Sequence, residues 1–216
     1  MAKTLIKKAN KKMFSQKQEP KQKAKGSLSK IKDPTVEYNA PYKENSIIAI
    51  VENKATKAKA KTVLVSGLLL DHKVTIDELV QMAKSQKDPI KATLIEAMEY
   101  ASKTNPEIIN DKAFEFAIQT LKEDAPRVKW EAAKVISNAA HLFPKLLKKA
   151  IVNILANTEH NGTVVRWSAA TALSKIILLN TALNKELIPA AEAIIEWEQD
   201  NAIKKIYQQA LKSKRK

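Results

Sequence analysis

Two tryptophans, Trp130 and Trp167, stand one 37-residue interval apart, and each directly follows a basic residue, Lys129 or Arg166. An ammonium or guanidinium pairs with carboxylate or phosphate, and a tryptophan face anchors a partner, so this pairing is suited to holding anions and side chains. The rest of the reactive inventory is sparse. His72, His141 and His160 are scattered, none has a second ligand three or four residues on, and there is no cysteine, so no metal site is expected. Gly26, Gly67 and Gly162 make no phosphate loop, and no serine, histidine and carboxylate accompany a strained nucleophile turn. Glu96 and Glu99 lie one turn apart and read as a solvated helix face. No catalytic residue and no cofactor follow from these residues.

The elements that position them recur. At about 100° per residue, Val165, Ala169, Ala172, Leu173 and Ile176 fall on one helical face. Val128, Ala132, Val135, Ile136 and Ala139 repeat that stripe, and Ile90, Leu94, Ala97, Met98 and Ala101 repeat it again at nearly the same interval. Small alanines at matched positions allow close helix approach. A period in this range marks a helical repeat array.

Val165-Arg166-x-x-Ala169-Ala170-x-Ala172-Leu173 resembles the second-helix signature of a HEAT repeat. Val128-Lys129-x-x-Ala132-Ala133-x-Val135-Ile136 follows it closely, and Ile90-Lys91-x-x-Leu94-Ile95-x-Ala97-Met98 is looser. The resemblance covers roughly residues 45 to 212. It implies an all-α, right-handed α-α superhelix of about five antiparallel helix pairs, with the second helices on the concave side. It also implies that Lys91, Lys129 and Arg166 join a structural ladder between repeats, with Glu123, Asp124 or Glu159 as acidic partners at the turns.

Trp130 and Trp167 lie about 200° around their helices from the leading valine. Two placements fit: packing in the seam between repeats, or a shelf on the concave face. Lys134 and Thr171 follow one turn later in equivalent places, and Glu96 matches them in the preceding unit. Trp130, Trp167, Lys134, Glu96 and Thr171 are therefore the candidate concave contact column. Trp197 lies outside the series and reads as packing.

Chain order gives the remaining elements. Residues 1 to 35 read as a disordered basic arm, since residues 1 to 33 carry 11 lysines against Glu19 and Asp33 with few large apolar side chains. Asp33-Pro34 to Pro41 reads as a linker. The solenoid spans 36–212: a short helix from Glu44, then Lys54 to Leu70 with Val63, Leu64, Gly67 and Leu68 inward, then Thr75 to Ser85 behind a Thr75/Glu78 capping box. Asp88-Pro89 starts the Ile90 helix. Asn105-Pro106 opens a helix to Glu123, Pro144 one to Asn157, and Leu183 to Lys212 forms the last pair. Residues 213–216 are a basic tail. Residues 34 to 203 hold 21 basic and 21 acidic residues, so the net +15 resides in the two ends.

These features predict a non-enzymatic binding or scaffold protein that holds a protein or peptide partner. The second reading is sequence-independent nucleic-acid association through the lysine-rich ends. The third is enzymatic: HEAT-like alkylpurine DNA glycosylases use tryptophans and an aspartate on a basic concave face. Here Trp130 and Trp167 have no aspartate one turn away. Apolar runs are too short to span a bilayer, and Met1 to Phe14 has no signal-like apolar core. A monomeric cytoplasmic protein with no membrane partner is expected.

Overall fold

A computed structural model describes residues 44–214. The expected arm, the linker at 33–41 and the last two residues of the tail lie outside the described residues. Among the described residues ten α-helices form five antiparallel pairs: α1 (Glu44–Glu52) with α2 (Ala58–Leu70), α3 (Ile76–Ser85) with α4 (Ile90–Thr104), α5 (Asp111–Thr120) with α6 (Pro126–Ala139), α7 (Leu147–Asn157) with α8 (Thr163–Leu178), and α9 (Asn184–Trp197) with α10 (Asn201–Lys214). Among the described residues there is no strand, and no helix is long and apolar enough to cross a membrane. The described residues form an all-α superhelix, as the resemblance implies.

Local signals set the helix starts. The Thr75 hydroxyl accepts the Glu78 N–H at 3.2 Å, and the Thr75 N–H donates to the Glu78 carboxylate at 2.7 Å, which completes the capping box. The segment expected as one helix from Asn105 is two elements. Asn105 caps a short 3-10 turn, Pro106–Ile108, and Asn110 then caps α5 by accepting the Ala113 N–H at 2.9 Å. Two asparagines five residues apart offer two starts, and each is used. Similarly, α7 begins at Leu147 rather than Pro144. His72 adopts φ 54°, the left-handed conformation that ends α2, so its backbone explains its place.

The repeated stripes form one continuous core. Val165, Ala169, Ala172, Leu173 and Ile176 are buried, as are Val128, Ala132, Val135, Ile136 and Ala139; in α4 the stripe is buried apart from Ile90. Helix α2 departs from expectation. Val63 and Leu64 are 44% and 52% exposed, and Thr62, Val65, Ser66 and Leu69 are buried instead. The run Val63 to Leu70 is apolar nearly all round, so it carries no periodic signal. Thr62 and Ser66 are small, and their hydroxyls donate to the carbonyls of Ala58 (3.3 Å) and Val63 (3.0 Å). Satisfied in this way, they are cheap to bury against α4.

The two layers stack differently. Consecutive second helices, α2 to α4 to α6 to α8 to α10, pack along their lengths, whereas among first helices α3 with α5 and α5 with α7 touch only locally. Buried alanines such as Ala97, Ala101, Ala133 and Ala170 permit that approach. A closer spacing in one layer bends the array toward it, so the second helices form the inner layer.

Candidate interaction surface

The basic residues at the motif's second position all reach forward by one unit. The Lys91 ammonium donates to both carboxylate oxygens of Glu123, at 2.7 and 2.9 Å. Lys129 donates to the Asn157 side chain and to the Leu121 carbonyl, both at 3.1 Å. Arg166 donates Nε to Glu198 at 2.9 Å and a second N–H to its other oxygen at 3.3 Å, and it also bonds the carbonyls of His160 and Asn161. Of the expected turn acids, Glu123 serves Lys91, whereas Lys129 faces an amide and Arg166 the unforeseen Glu198. The displacement follows from direction, since each cation meets the end of the next unit's first helix. Glu198 is buried. Burial opposes its ionisation, but the Arg166 guanidinium and the N–H groups of Gln199 and Asp200 hold its carboxyl below the ordinary value.

The candidate contact column divides into an engaged part and an open part. At the seam between α4 and α6, Glu96 bonds Arg127 at 2.6 Å. Lys134 bridges Glu99 at 3.0 Å and Glu131 at 3.1 Å, and its ammonium lies 5.4 Å from the centre of the Trp130 ring. Trp130 is half-buried beneath it, with its indole nitrogen fully buried. Burial pushes the Glu131 carboxyl up to about 7 even with Lys134 opposing the shift; Glu96 and Glu99 add to it. Glu96, Trp130 and Lys134 are thus tied into one seam.

One unit later the same positions are open. Trp167 is 41% exposed. Where Lys134 covers Trp130, α8 has Thr171, whose hydroxyl donates to its own helix at the Trp167 carbonyl, 3.0 Å away. Beyond it, Lys175 and Leu178 are exposed, and Lys175 reaches the Asn138 side-chain oxygen at 3.5 Å. A groove of about 310 Å³ runs between α8 and α10, lined by Thr171, Ser174, Lys175, Leu178, Ile206 and Gln209 among others. Lys175 and Leu178 continue the line of Trp167 and Thr171 by one and two turns. That helical spacing was the available signal; matching positions across repeats, rather than along α8, missed it. Trp197 is half-buried against the core beside Arg166 and Glu198, outside this surface.

The histidines are separate. His141 is exposed after α6, and the His160 Nδ1 accepts the Gly162 N–H at 2.9 Å in the turn before α8.

No family model and no curated protein matches the sequence. Solved structures do resemble it. An engineered protein from the Northeast Structural Genomics Consortium superposes with a TM-score of 0.57 at 15% identity, over 77% of this chain and 78% of that one. A second engineered protein from the same consortium gives 0.62 at 16% identity, over 80% of this chain and 47% of the other. A designed armadillo repeat protein in complex with the peptide (KR)4 gives 0.53 at 15% identity, over 79% of this chain and 98% of its own. At these identities the likeness concerns fold alone. With five stacked pairs, an alanine-lined inner layer and forward-reaching cations, the chain has the fold of a HEAT/armadillo-like repeat solenoid.

Proposed function

We propose that this protein is a non-enzymatic binding module that holds a protein or peptide on its inner face, centred on α8. The observation that carries this reading is Trp167, a large aromatic left exposed one turn before Thr171, where a groove with polar and apolar walls begins. Tryptophan in such a place is a favoured binding anchor. An extended solenoid face also provides area without a water-excluding chamber. The designed armadillo neighbour, which is bound to a peptide, supports the kind of partner. In this reading Lys91, Lys129 and Arg166 are structural, Glu96, Trp130 and Lys134 brace the surface, and Trp167 and Thr171 contact the partner. The glycosylase reading lacks an accessible carboxylate at the paired tryptophans: Glu131, next to Trp130, is buried and capped by Lys134.

Selection from a displayed random peptide library tests the proposal. Peptides enriched on the wild type should lose about ten-fold or more in affinity for Trp167→Ala, the scale of an exposed anchor, with melting nearly unchanged. Enriched peptides that bind Trp167→Ala equally well would refute the assignment of this face.

A further inference from the structure

We infer that the segment held on the inner face is an acidic polypeptide with apolar side chains between its carboxylates. The inference rests on the inner-face reading and adds the partner's chemistry. It comes from a charge segregation that becomes visible only once the helices are sorted into layers. The five inner helices carry thirteen lysines and arginines against three acids. The five outer helices carry five against nine. A solenoid that is neutral along its sequence is therefore strongly basic on one layer and acidic on the other.

The inner acids are not available to offset a ligand. Glu96, Glu99 and Glu131 are the three, and each is paired with Arg127 or Lys134. Helices α2, α8 and α10 contain no acid at all. The exposed lysines Lys103, Lys175 and Lys205 have no carboxylate within ion-pair distance among the described residues. Lys205 stands in α10 where Trp167 stands in α8, because Ile203, Tyr207, Ala210 and Leu211 are buried at the positions of Val165, Ala169, Ala172 and Leu173. Lys175 and Leu178 line the groove between α8 and α10; Lys205 directly precedes Ile206 on its α10 wall, and Trp167 lies one turn before Thr171 on its α8 wall. A basic segment would meet uncompensated like charge there, and an acidic one would be steered in and paired.

The same surface favours polypeptide over nucleic acid. Both inner arginines, Arg127 and Arg166, are committed to ion pairs. Stacking of successive bases calls for successive aromatic faces. On α8 the exposed large side chains besides Trp167 are instead the aliphatic Val164, one turn before it, and Leu178, three turns after it, both about half exposed. Those side chains suit leucine-like groups recurring along an extended chain, with carboxylates between them reaching the lysines.

The experiment uses the full chain and four labelled probes in fluorescence anisotropy at moderate salt: the peptide (Glu-Leu-Ser)4, its carboxylate-only counterpart (Glu-Ser-Ser)4, the basic peptide (KR)4, and oligothymidine of about twelve nucleotides. We expect (Glu-Leu-Ser)4 to bind tightest, with (KR)4 at least about ten-fold weaker, the cost of juxtaposed like charge. Lys175→Glu with Lys205→Glu should weaken (Glu-Leu-Ser)4 by about ten-fold or more at unchanged melting, and the outer-layer Lys149→Glu by less than about two-fold. The basic N-terminal residues are common to all variants, so binding that ignores the double change belongs to them and overturns the inference. It is likewise overturned if (KR)4 binds as tightly, if oligothymidine binds more tightly than any peptide, or if no probe binds. Should (KR)4 bind and lose affinity in Trp167→Ala, the inner-face reading survives while the acidic partner does not. Should (Glu-Leu-Ser)4 bind and lose affinity in the double lysine variant but not in Trp167→Ala, the acidic partner stands and the tryptophan anchor fails.

Discussion

Units three and four place a tryptophan at the same point of the same helix, two residues after a buried valine, and surround it differently. In unit three, Lys134 lies over Trp130 and is itself fixed by Glu99 and Glu131. In unit four, Thr171 turns back to its own backbone and Ser168, at the position of Glu131, donates to the Val165 carbonyl at 2.8 Å. One seam is closed by a charged cluster and the other by small hydroxyls, which leaves Trp167 bare. A motif position therefore specifies where a side chain emerges; the residue one turn later decides whether it is packing or surface.

The largest test of that contrast removes the cover. Lys134→Ala leaves two buried carboxylates without their cation and should cost about 3 kcal/mol, whereas Thr171→Ala should stay within about 0.5 kcal/mol. Urea melts of the two variants measure the difference directly; equal costs would erase the distinction between the seams. Next come the rings. Trp130→Ala should lose about 2 kcal/mol of stability, and Trp167→Ala under about 1 kcal/mol, because more of the first side chain than of the second is buried. If Trp167→Ala proves the more destabilising, it is the packing residue.

The third test uses pH. The folded Glu131 carboxyl titrates near 7 against an ordinary value of 4.5. Raised in the folded state, it favours folding fully below about pH 4.5, and that contribution is lost as pH rises through 7. Glu131→Gln should therefore gain on the wild type between pH 4.5 and 7.5, by on the order of 2 kcal/mol. Ser168→Ala, in the other seam, should show no such pH-dependent difference. The smallest effect lies on α2, whose inner side is also open. A Cβ built at Gly67 meets nothing within 4 Å, so Gly67→Ala should stabilise the protein by about 0.5–1 kcal/mol in thermal melts.

The sequence made the repeat legible because its stripes combine period, size and a matched cation, and three units repeat all of them. Helix α2 was misread because a continuous apolar run, Val63 to Leu70 with Ser66 and Gly67 inside it, has no preferred face. The surface was half legible. Trp130 and Trp167 mark the right column, but their different fates depend on Glu99 and Glu131, which pair across helices that are far apart in sequence. The charge segregation was hidden for a related reason. Balanced totals between residues 34 and 203 say nothing about which helices share a layer, and Lys204 to Lys214, counted with a tail, are part of the inner layer.

That layering makes the two sides of the molecule unlike in charge, with an excess of basic residues on the inner helices and of acidic residues on the outer ones. Between two copies that asymmetry draws inner side toward back, a head-to-tail approach that does not close on itself, while the net +15 charge of each copy opposes it. Screening over about 8 Å at physiological salt weakens both effects.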